Sequence, residues 1–317
     1  DVIPKYGTDA LRMALIMGVS PGNDQSWGWS KIEANRNFCN KLWNIARYIE
    51  DIVGDETSRE DVGAVSAADH WALHKLNEAQ TKIGQDLDKY RFSEAYDTLY
   101  HFVWDDIADW YIEASKAQTN KALLAYLLEA IMTLAHPFAP FVTETIWQTL
   151  SGENDTILAT RELLKVPKSD AKQAADFSEI QAIVTEVRFI SKALKVSGST
   201  LYYTDVPFLT ENAEIIRSLS RLKAVTEVRD GSGLNLTSTK HTCWLDIDKG
   251  TAQAYLTELE GKREKQLQSI KQLEGRLSNK SYVDNAPKQV VEQTKDQLAE
   301  AKELLESIEQ EAKRFAA

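Results

Sequence analysis

Two heptad-like rows of apolar residues near the C-terminus constrain the fold more than any other feature of this sequence. They cover residues 256–277 and 291–315, in alternating steps of three and four residues. Such steps place apolar side chains on one side of an α-helix that packs against a second helix. The segment SNKSYVDNAP (278–287) interrupts the first helix, and Pro287 suits the first turn of the next one. The pattern therefore predicts an antiparallel coiled-coil hairpin over residues 248–317.

The predicted hairpin has one mildly basic side. Its first arm and tip carry more cations than the acid-rich second arm. Periodicity alone is equally compatible with a coiled coil that only associates with other proteins. The cations that we single out are Lys262, Arg263, Lys271, Arg276 and Lys280.

A second pattern lies in a helix that we predict from residue 30 to about residue 53. Apolar residues recur there at three- and four-residue steps, which is typical of a core-facing stripe. No acidic residue occurs between Ala34 and Ile49, although the whole chain has a net charge of −11. Asn, Lys, Arg and one aromatic side chain on an acid-free face suit RNA phosphates and unstacked bases, although many helices have an ordinary solvated polar face. The candidate RNA contacts are Arg36, Lys41, Asn44, Arg47 and Tyr48.

The remaining segments complete a mainly α prediction. Consecutive amphipathic helices with short connections over residues 19–160 predict an antiparallel helical bundle. Residues 161–247 alternate helical stretches with short runs rich in β-branched and aromatic residues, which predicts a small α/β connector. Residues 1–18 contain one helix and begin abruptly, so we expect them to follow a further domain of a longer protein.

Composition excludes several classes of function. With a pI near 5.1, the chain is not a generally basic nucleic-acid coat, so RNA contacts must use local basic faces. It has no apolar run of about 18 residues, so we expect no membrane contact. Cys39 and Cys243 are far apart and not in a CxxC motif, which argues against a disulfide framework or zinc module and suits a reducing cytoplasm.

Two clusters invite a chemical interpretation. His70 and His74 have the i, i+4 spacing of metal ligands but lack the HExxH glutamate and an evident third ligand, so we expect no metal. Asp105, Asp106 and Asp109 form an acidic group without a motif that supplies a base or nucleophile, so we expect no catalytic residue.

Five segments together resemble the C-terminal region of bacterial valyl-tRNA synthetases, which are class I aminoacyl-tRNA synthetases. They are KYGTDALR (5–12), NRNFCNKLWNIARY (35–48), WDDIADWYIEASK (104–116), AHPFAPFVTETIWQ (135–148) and LSNKSYVDNAPKQVVEQTKDQLAE (277–300). The first four are shared by the valine, isoleucine and leucine branch. The last is similar to the tip and second arm of the terminal coiled coil of the valine enzymes.

The resemblance implies a function in tRNA binding. The bundle would be the anticodon-binding domain, with the five α-helical candidates facing the anticodon, and the five hairpin cations would contact the tRNA elbow. Neither HIGH nor KMSKS occurs in the sequence. ATP, Mg²⁺ and the joining of valine to tRNA(Val) are therefore implied for the catalytic domain of a larger parent protein, and no cofactor is expected in this region. We expect a cytoplasmic monomer. The alternatives are the corresponding region of an isoleucine or leucine enzyme, or a coiled-coil interaction protein without RNA binding.

Overall fold

The computed structural model describes residues 2–18, 28–54, 62–150, 157–237, 239–279 and 287–315. It divides the chain into two compact units, Asp1–Glu179 and Ile180–Ala317. Helices account for most of the described residues, and a small sheet of four strands lies in the second unit. The predicted mainly α class, with a helical bundle, a small α/β element and a helical hairpin, is confirmed.

The first unit is a bundle of helices connected by short segments. Its elements in chain order are α1 (Ile3–Tyr6), α2 (Thr8–Ile16), α3 (Trp29–Val53), α4 (Ala67–Asp88), α5 (Phe92–His101), a π-helix (Phe102–Tyr111), α6 (Ile112–Ser115), α7 (Lys121–Ala135), α8 (Pro140–Leu150) and a 3-10 turn (Leu158–Thr160). Helix α3 packs against α2, α7 and α8, and it contributes fully buried side chains such as Phe38 and Leu42 to the core.

Several helix starts in the first unit depend on side-chain caps. The hydroxyl of Ser66 accepts a hydrogen bond from the Asp69 amide at the start of α4. The carbonyl oxygen of the Asn120 side chain caps α7, where it accepts a hydrogen bond from the Leu123 amide. The N-terminus of α8 is capped by the buried carboxylate of Asp9, which accepts from the amides of residues 141 and 142. A cap from a residue 132 positions earlier has no local sequence signal.

A ten-residue π-helix continues α5 without a break. Its hydrogen bonds join residues five apart, and several of its buried side chains follow the same step. Phe102, Ile107 and Ile112 are buried, as are Val103 and Ala108. Because a step of five residues is close to the α-helical steps of three and four, the sequence pattern alone does not distinguish this π-helix from an α-helix.

The second unit contains the sheet. Helix α9 (Ala171–Leu194) crosses the division between the units, and it is followed by β1 (Thr200–Tyr203), α10 (Pro207–Glu211), α11 (Ala213–Ser220), β2 (Ala224–Glu227), β3 (Leu234–Asn235) and β4 (Cys243–Leu245). The strand order is β2-β1-β4-β3, with β1 and β2 parallel and the other pairs antiparallel. Residues 231–233 lie in the connection between β2 and β3, which are at opposite edges of the sheet.

The chain ends in the predicted hairpin of two helices. Helix α12 (Lys249–Ser278) and helix α13 (Lys288–Phe315) run antiparallel. Ile270, Leu273 and Ala301 form a buried apolar cluster between them. The Gln266 amide donates to the carbonyl oxygen of Ala301, and ion pairs described below also join the two helices. None of the described helices is both long and apolar enough to cross a membrane.

Candidate nucleic-acid interface

The acid-free strip lies on the outer side of α3. At about 100° per residue, the five candidate residues fall within an arc of about 140°. Phe38, Leu42, Ile45 and Ile49, on the opposite side, are all buried in the bundle. The apolar stripe thus fixes the direction of the polar side chains, and the sequence pattern identified both sides of this helix.

The two ends of the strip differ in how strongly the protein holds their side chains. Asn44 and Arg47 are exposed, and no ion pair reaches Arg47 from any residue that the structure describes. Arg36 is half-buried: its guanidinium lies 5.7 Å from the centre of the Tyr6 ring, and Nη2 donates to Asn37 at 3.2 Å. Arg47 can therefore reach a phosphate without losing an ion pair with any described residue, whereas Arg36 is partly engaged.

Lys41 occupies the best-defined environment of the strip. Its ammonium lies 3.1 Å from the carboxylate of Asp109 and 4.7 Å from the centre of the Trp104 ring. The Lys41 side chain is 25% exposed, compared with 53% for that of Asp109. The strip is thus free of acids along its own helix, but a carboxylate from the neighbouring π-helix pairs with one of its cations.

Tyr48 is half-buried, and it lies next to the C-terminal end of α6, which continues the π-helix. Its hydroxyl lies 3.3 Å from the hydroxyl of Ser115, and the ammonium of Lys116 lies 5.8 Å from the ring centre. Lys116 also pairs with Glu113 at 2.5 Å. The contact with Ser115 fixes the ring while part of it remains accessible, which is what a stacking platform for a base requires.

Three residues next to the strip were not among the candidates predicted from the sequence. Trp43 lies on α3 between the two arginines and is 36% exposed. Trp104 and Lys116 come from the neighbouring helical segment and contact Lys41 and Tyr48, respectively. Both belong to the segment WDDIADWYIEASK, which carried the resemblance, but no pattern within one helix shows that two helices meet here.

The three aspartates of the π-helix have different partners. Asp109 pairs with Lys41, while Asp105 accepts a hydrogen bond from His101 at 2.6 Å. Burial raises the pKa of Asp106 to about 6, and the neighbouring charge of Asp105 contributes to the rise. The hydrogen bond with Asp105 raises the pKa of His101. The three carboxylates thus have different surroundings.

His70 and His74 also have separate contacts. The Nδ1 atom of His70 accepts a hydrogen bond from the Asp170 amide at 3.0 Å. Nε2 of His74 lies 3.4 Å from the carboxylate of Glu78. Within the described ranges, no three His, Cys, Asp or Glu side chains are grouped so that they could hold a metal ion.

The hairpin cations fall into two groups by their contacts. Lys262 pairs with Glu258, and Arg263 donates to Glu309 on the other helix, both at 2.8 Å. Lys271 and Arg276 are exposed and have no ion pair among the described residues. The predicted contact Lys280 lies outside the described residues. A cross-hairpin pair between Lys302 and Glu274, at 2.8 Å, further joins the two helices.

Helix geometry separates these cations by direction. At about 100° per residue, Lys262, Lys265 and Arg276 lie within about 60° of one another on α12. Lys271 lies about 180° from Lys262, on the flank that also carries Glu260 and Glu264. The flank of Lys262, Lys265 and Arg276 carries one acid, Glu258, and therefore has a net positive charge, whereas the flank of Lys271 carries two acids. Counting charges along the sequence does not reveal this division.

Comparison with known families gives a context for both surfaces. A family model described as the anticodon-binding domain of tRNA ligases matches residues 69–205, and a second, described as the tRNA-binding arm of valyl-tRNA synthetase, matches residues 256–316. The chain belongs to the valyl-tRNA synthetase family. It corresponds to the C-terminal region of these class I enzymes. The first match begins at Asp69, so the polar strip of α3 precedes it, within the same bundle.

Two curated relatives, both named valine–tRNA ligase, agree with this assignment. A valine–tRNA ligase of Enterococcus faecalis is 31% identical over an alignment that includes all of this chain and 38% of the relative. One from Staphylococcus epidermidis is 40% identical over 62% of this chain and 23% of the relative. The chain thus spans less than two fifths of the length of these relatives. A solved leucyl-tRNA synthetase complex from Agrobacterium radiobacter covers 64% of the chain at 16% identity, with a TM-score of 0.45.

Proposed function

We propose that this region binds tRNA(Val), gripping the anticodon with the bundle and the elbow with the helical hairpin. The observation that carries the proposal is the strip of α3, where Arg47 is exposed without an ion pair among the described residues and Tyr48 is held by Ser115. An exposed cation and an anchored aromatic ring on one side of the helix suit the alternation of phosphate and base in a single-stranded loop. The descriptions of the two matching families support the same partner.

The mechanism is positioning. Each surface alone offers a few charge and stacking contacts and would bind weakly. Two contacts on one tRNA raise the affinity, because binding at the first surface increases the effective concentration at the second. In the full-length protein this grip would direct the acceptor end of the tRNA to a catalytic domain that joins valine to it at the expense of ATP. We place this activity in the cytoplasm and expect the protein to act as a monomer.

The first test compares two tRNAs that differ only in the anticodon. The chain is titrated with a valine tRNA transcript and with the same transcript carrying a different anticodon, at low and moderate salt. We expect a preference of about tenfold or more for the valine anticodon, equivalent to about 1.4 kcal/mol. Equal affinities would remove the anticodon assignment.

A second measurement tests the role of the strip. Arg47→Ala should lower the slope of log affinity against log salt by about one, since one phosphate contact is lost. Lys89→Ala is the matched control, because Lys89 is an exposed cation at the end of α4, outside the strip. If both variants change the slope equally, the strip has no special role in RNA binding.

A further inference from the structure

Three aromatic rings form a ladder from the core of the bundle to the polar strip. Phe38 on α3 stacks on Tyr100 of α5, with ring centres 5.1 Å apart and planes inclined by 26°. Tyr100 stacks in turn on Trp104 of the π-helix, at 5.6 Å and 12°. Phe38 is fully buried, whereas Tyr100 and Trp104 are half-buried, so the ladder ends at the surface. Its last ring is anchored by the two rings behind it.

The ammonium of Lys41 lies over this last ring, 4.7 Å from its centre. A cation over an indole is attracted by the negative face of the ring, but the attraction is weak where water competes. The carboxylate of Asp109, 3.1 Å away, adds a second hold on the same ammonium. Lys41 therefore covers the face of the Trp104 indole on which an aromatic base could otherwise stack.

The π-helix is what brings the two holding groups together. Trp104 and Asp109 are five residues apart, and residues with this spacing lie one above the other in a π-helix. In an α-helix the same two residues would point about 140° apart. The rare helix type thus creates a clamp in which one indole and one carboxylate meet a single lysine of α3.

We propose that Trp104 is a stacking site for an unpaired nucleobase of the bound RNA, and that Lys41 leaves it to pair with a phosphate of the same RNA. This inference rests on the proposed function, since it places a further nucleotide contact beside the strip. A base and its phosphate together replace both partners of Lys41: the base takes the indole face, and the phosphate takes the place of the Asp109 carboxylate. Asp109 keeps the lysine in position until that exchange.

The clamp also gives discrimination between RNA segments. A phosphate alone competes with Asp109 for Lys41 and gains little, because one anion replaces another. A strand that also offers an unstacked base gains the stacking contact on Trp104. The bases of double-stranded RNA are already paired and stacked, so they cannot stack on Trp104, and the arrangement favours single-stranded loops over helices.

The inference can be tested by combining RNAs that each lack one loop base with a protein variant that lacks the Trp104 indole. A labelled anticodon stem-loop of a valine tRNA is prepared intact and as a series in which each loop base in turn is missing. Binding to the whole chain and to its Trp104→Ala variant is measured by fluorescence anisotropy. We expect Trp104→Ala to weaken binding of the intact loop about five- to 150-fold, the range of one base stacked on an aromatic ring.

The decisive result is a coupling between the variant and one loop position. For the RNA that lacks the base stacked on Trp104, the Trp104→Ala substitution should have no further effect, whereas at other positions the two losses should add. If no position shows this coupling, the stacking site is wrong. Trp104→Phe should retain most of the affinity, because it keeps an aromatic face, and Phe141→Ala, which removes a 59% exposed ring on α8, should change nothing.

The result also separates this inference from the proposed function. If the wild-type chain prefers the valine anticodon but shows no coupled position, only the Trp104 site is overturned. If the wild-type chain shows no anticodon preference and no coupling, both are overturned. Thermal unfolding of each variant shows whether it has lost its fold. Trp104→Phe keeps three stacked rings, so its affinity for the stem-loop is measured on an intact ladder.

Asp109→Asn tests the exchange of partners on Lys41. Without the competing carboxylate, the affinity for the intact stem-loop should rise about two- to fivefold, the range measured for exposed ion pairs. The double variant Lys41→Ala, Asp109→Asn should lose this gain. An Asp109→Asn variant that binds more weakly than the wild type would overturn the proposed exchange.

Discussion

The hydroxyl of Tyr48 lies 3.3 Å from the hydroxyl of Ser115, so a residue of the polar strip on α3 is tied to the end of the neighbouring helical segment. Ser115 is buried and donates to the carbonyl oxygen of Ile112 at 2.9 Å, which fixes its own position. The ring of Tyr48 is therefore ordered before any ligand arrives. Pre-ordering reduces the entropy that binding would otherwise cost.

The anchoring of Tyr48 leads to a prediction about two substitutions. Tyr48→Ala should weaken binding of the valine tRNA by about 1–3 kcal/mol, because the stacking face is lost. Tyr48→Phe keeps the face and loses only the contact with Ser115, so its loss should be below about 1 kcal/mol. Equilibrium titration with the tRNA transcript measures both. Equal losses would mean that the hydroxyl, and not the ring, carries the contribution.

The hairpin prediction follows from the two flanks of α12. We expect the flank of Lys262, Lys265 and Arg276 to face the RNA, since its three cations outnumber its one acid, Glu258, while the other flank carries Glu260 and Glu264 beside Lys271. Removing Lys265 and Arg276 together, as Lys265→Gln and Arg276→Gln, should lower the salt slope of tRNA binding by about two. Affinity at low salt should fall accordingly.

Lys271 is one of the five hairpin cations predicted from the sequence to contact the tRNA elbow, but its position on the other flank makes Lys271→Gln the control for this hairpin prediction. Lys271 is also exposed and lacks an ion pair among the described residues, but it lies on the other flank of the helix. Its loss should leave the slope within experimental error. If Lys271→Gln has the larger effect per charge, the RNA contacts the opposite side of the arm from the one we propose.

How far the sequence predicts this structure depends on whether the relevant pattern lies within one helix. The heptad rows and the apolar stripe of α3 are local repeats, and both elements were predicted with nearly their observed limits. The candidate strip was identified in the same way, from the side of α3 opposite Phe38 and Leu42. Such patterns succeed because a helix with one apolar side has only one way to bury it.

Features that depend on contacts between distant segments were not predicted. The pairing of Lys41 with Asp109 joins residues 68 positions apart, and the cap of Asp9 on α8 joins even more distant ones. The π-helix changes which residues share a face, so Trp104 could not be placed beside Asp109 by α-helical spacing. The absence of acids along a helix therefore does not mean the absence of acids around it.

Substitution of the buried Asp69 should cause a large loss of stability. Its carboxylate accepts hydrogen bonds from the Tyr111 hydroxyl and the Asn120 amide, each at 2.8 Å, and from the Val65 amide at 3.0 Å. Asp69→Ala leaves all three donors without this acceptor, so the free energy of unfolding of the bundle should fall by about 3 kcal/mol. Urea denaturation measures the change.

Asp88→Ala is the matched control for Asp69, because Asp88 is an exposed acid at the other end of α4. Substitutions at such surface positions change stability by about 0.5 kcal/mol or less. A comparable loss in the two variants would indicate that helix charge, and not the buried hydrogen bonds, accounts for the effect of Asp69.

Asp106 gives a prediction about the pH dependence of stability. Burial, which is the largest cause, raises its pKa from the ordinary value of 3.8 to about 6 in the folded protein. Between about pH 4 and about pH 6 the folded state therefore holds a proton that the unfolded state has lost. Stability from this group falls as the pH rises through that window, and above it the folded protein carries a constant cost.

Asp106→Asn removes this titration. The variant should be more stable than the wild type by about 1–2 kcal/mol near pH 7, a figure reduced to allow for the partial exposure of the side chain. The difference should shrink towards zero as the pH falls to about 4, where Asp106 is protonated in both states. Urea unfolding at several pH values measures it, with Asp51→Asn on the surface of α3 as the control. A stability difference that stays the same from pH 4 to pH 7 would show that the amide changes packing and that the burial of a charge is not the cause.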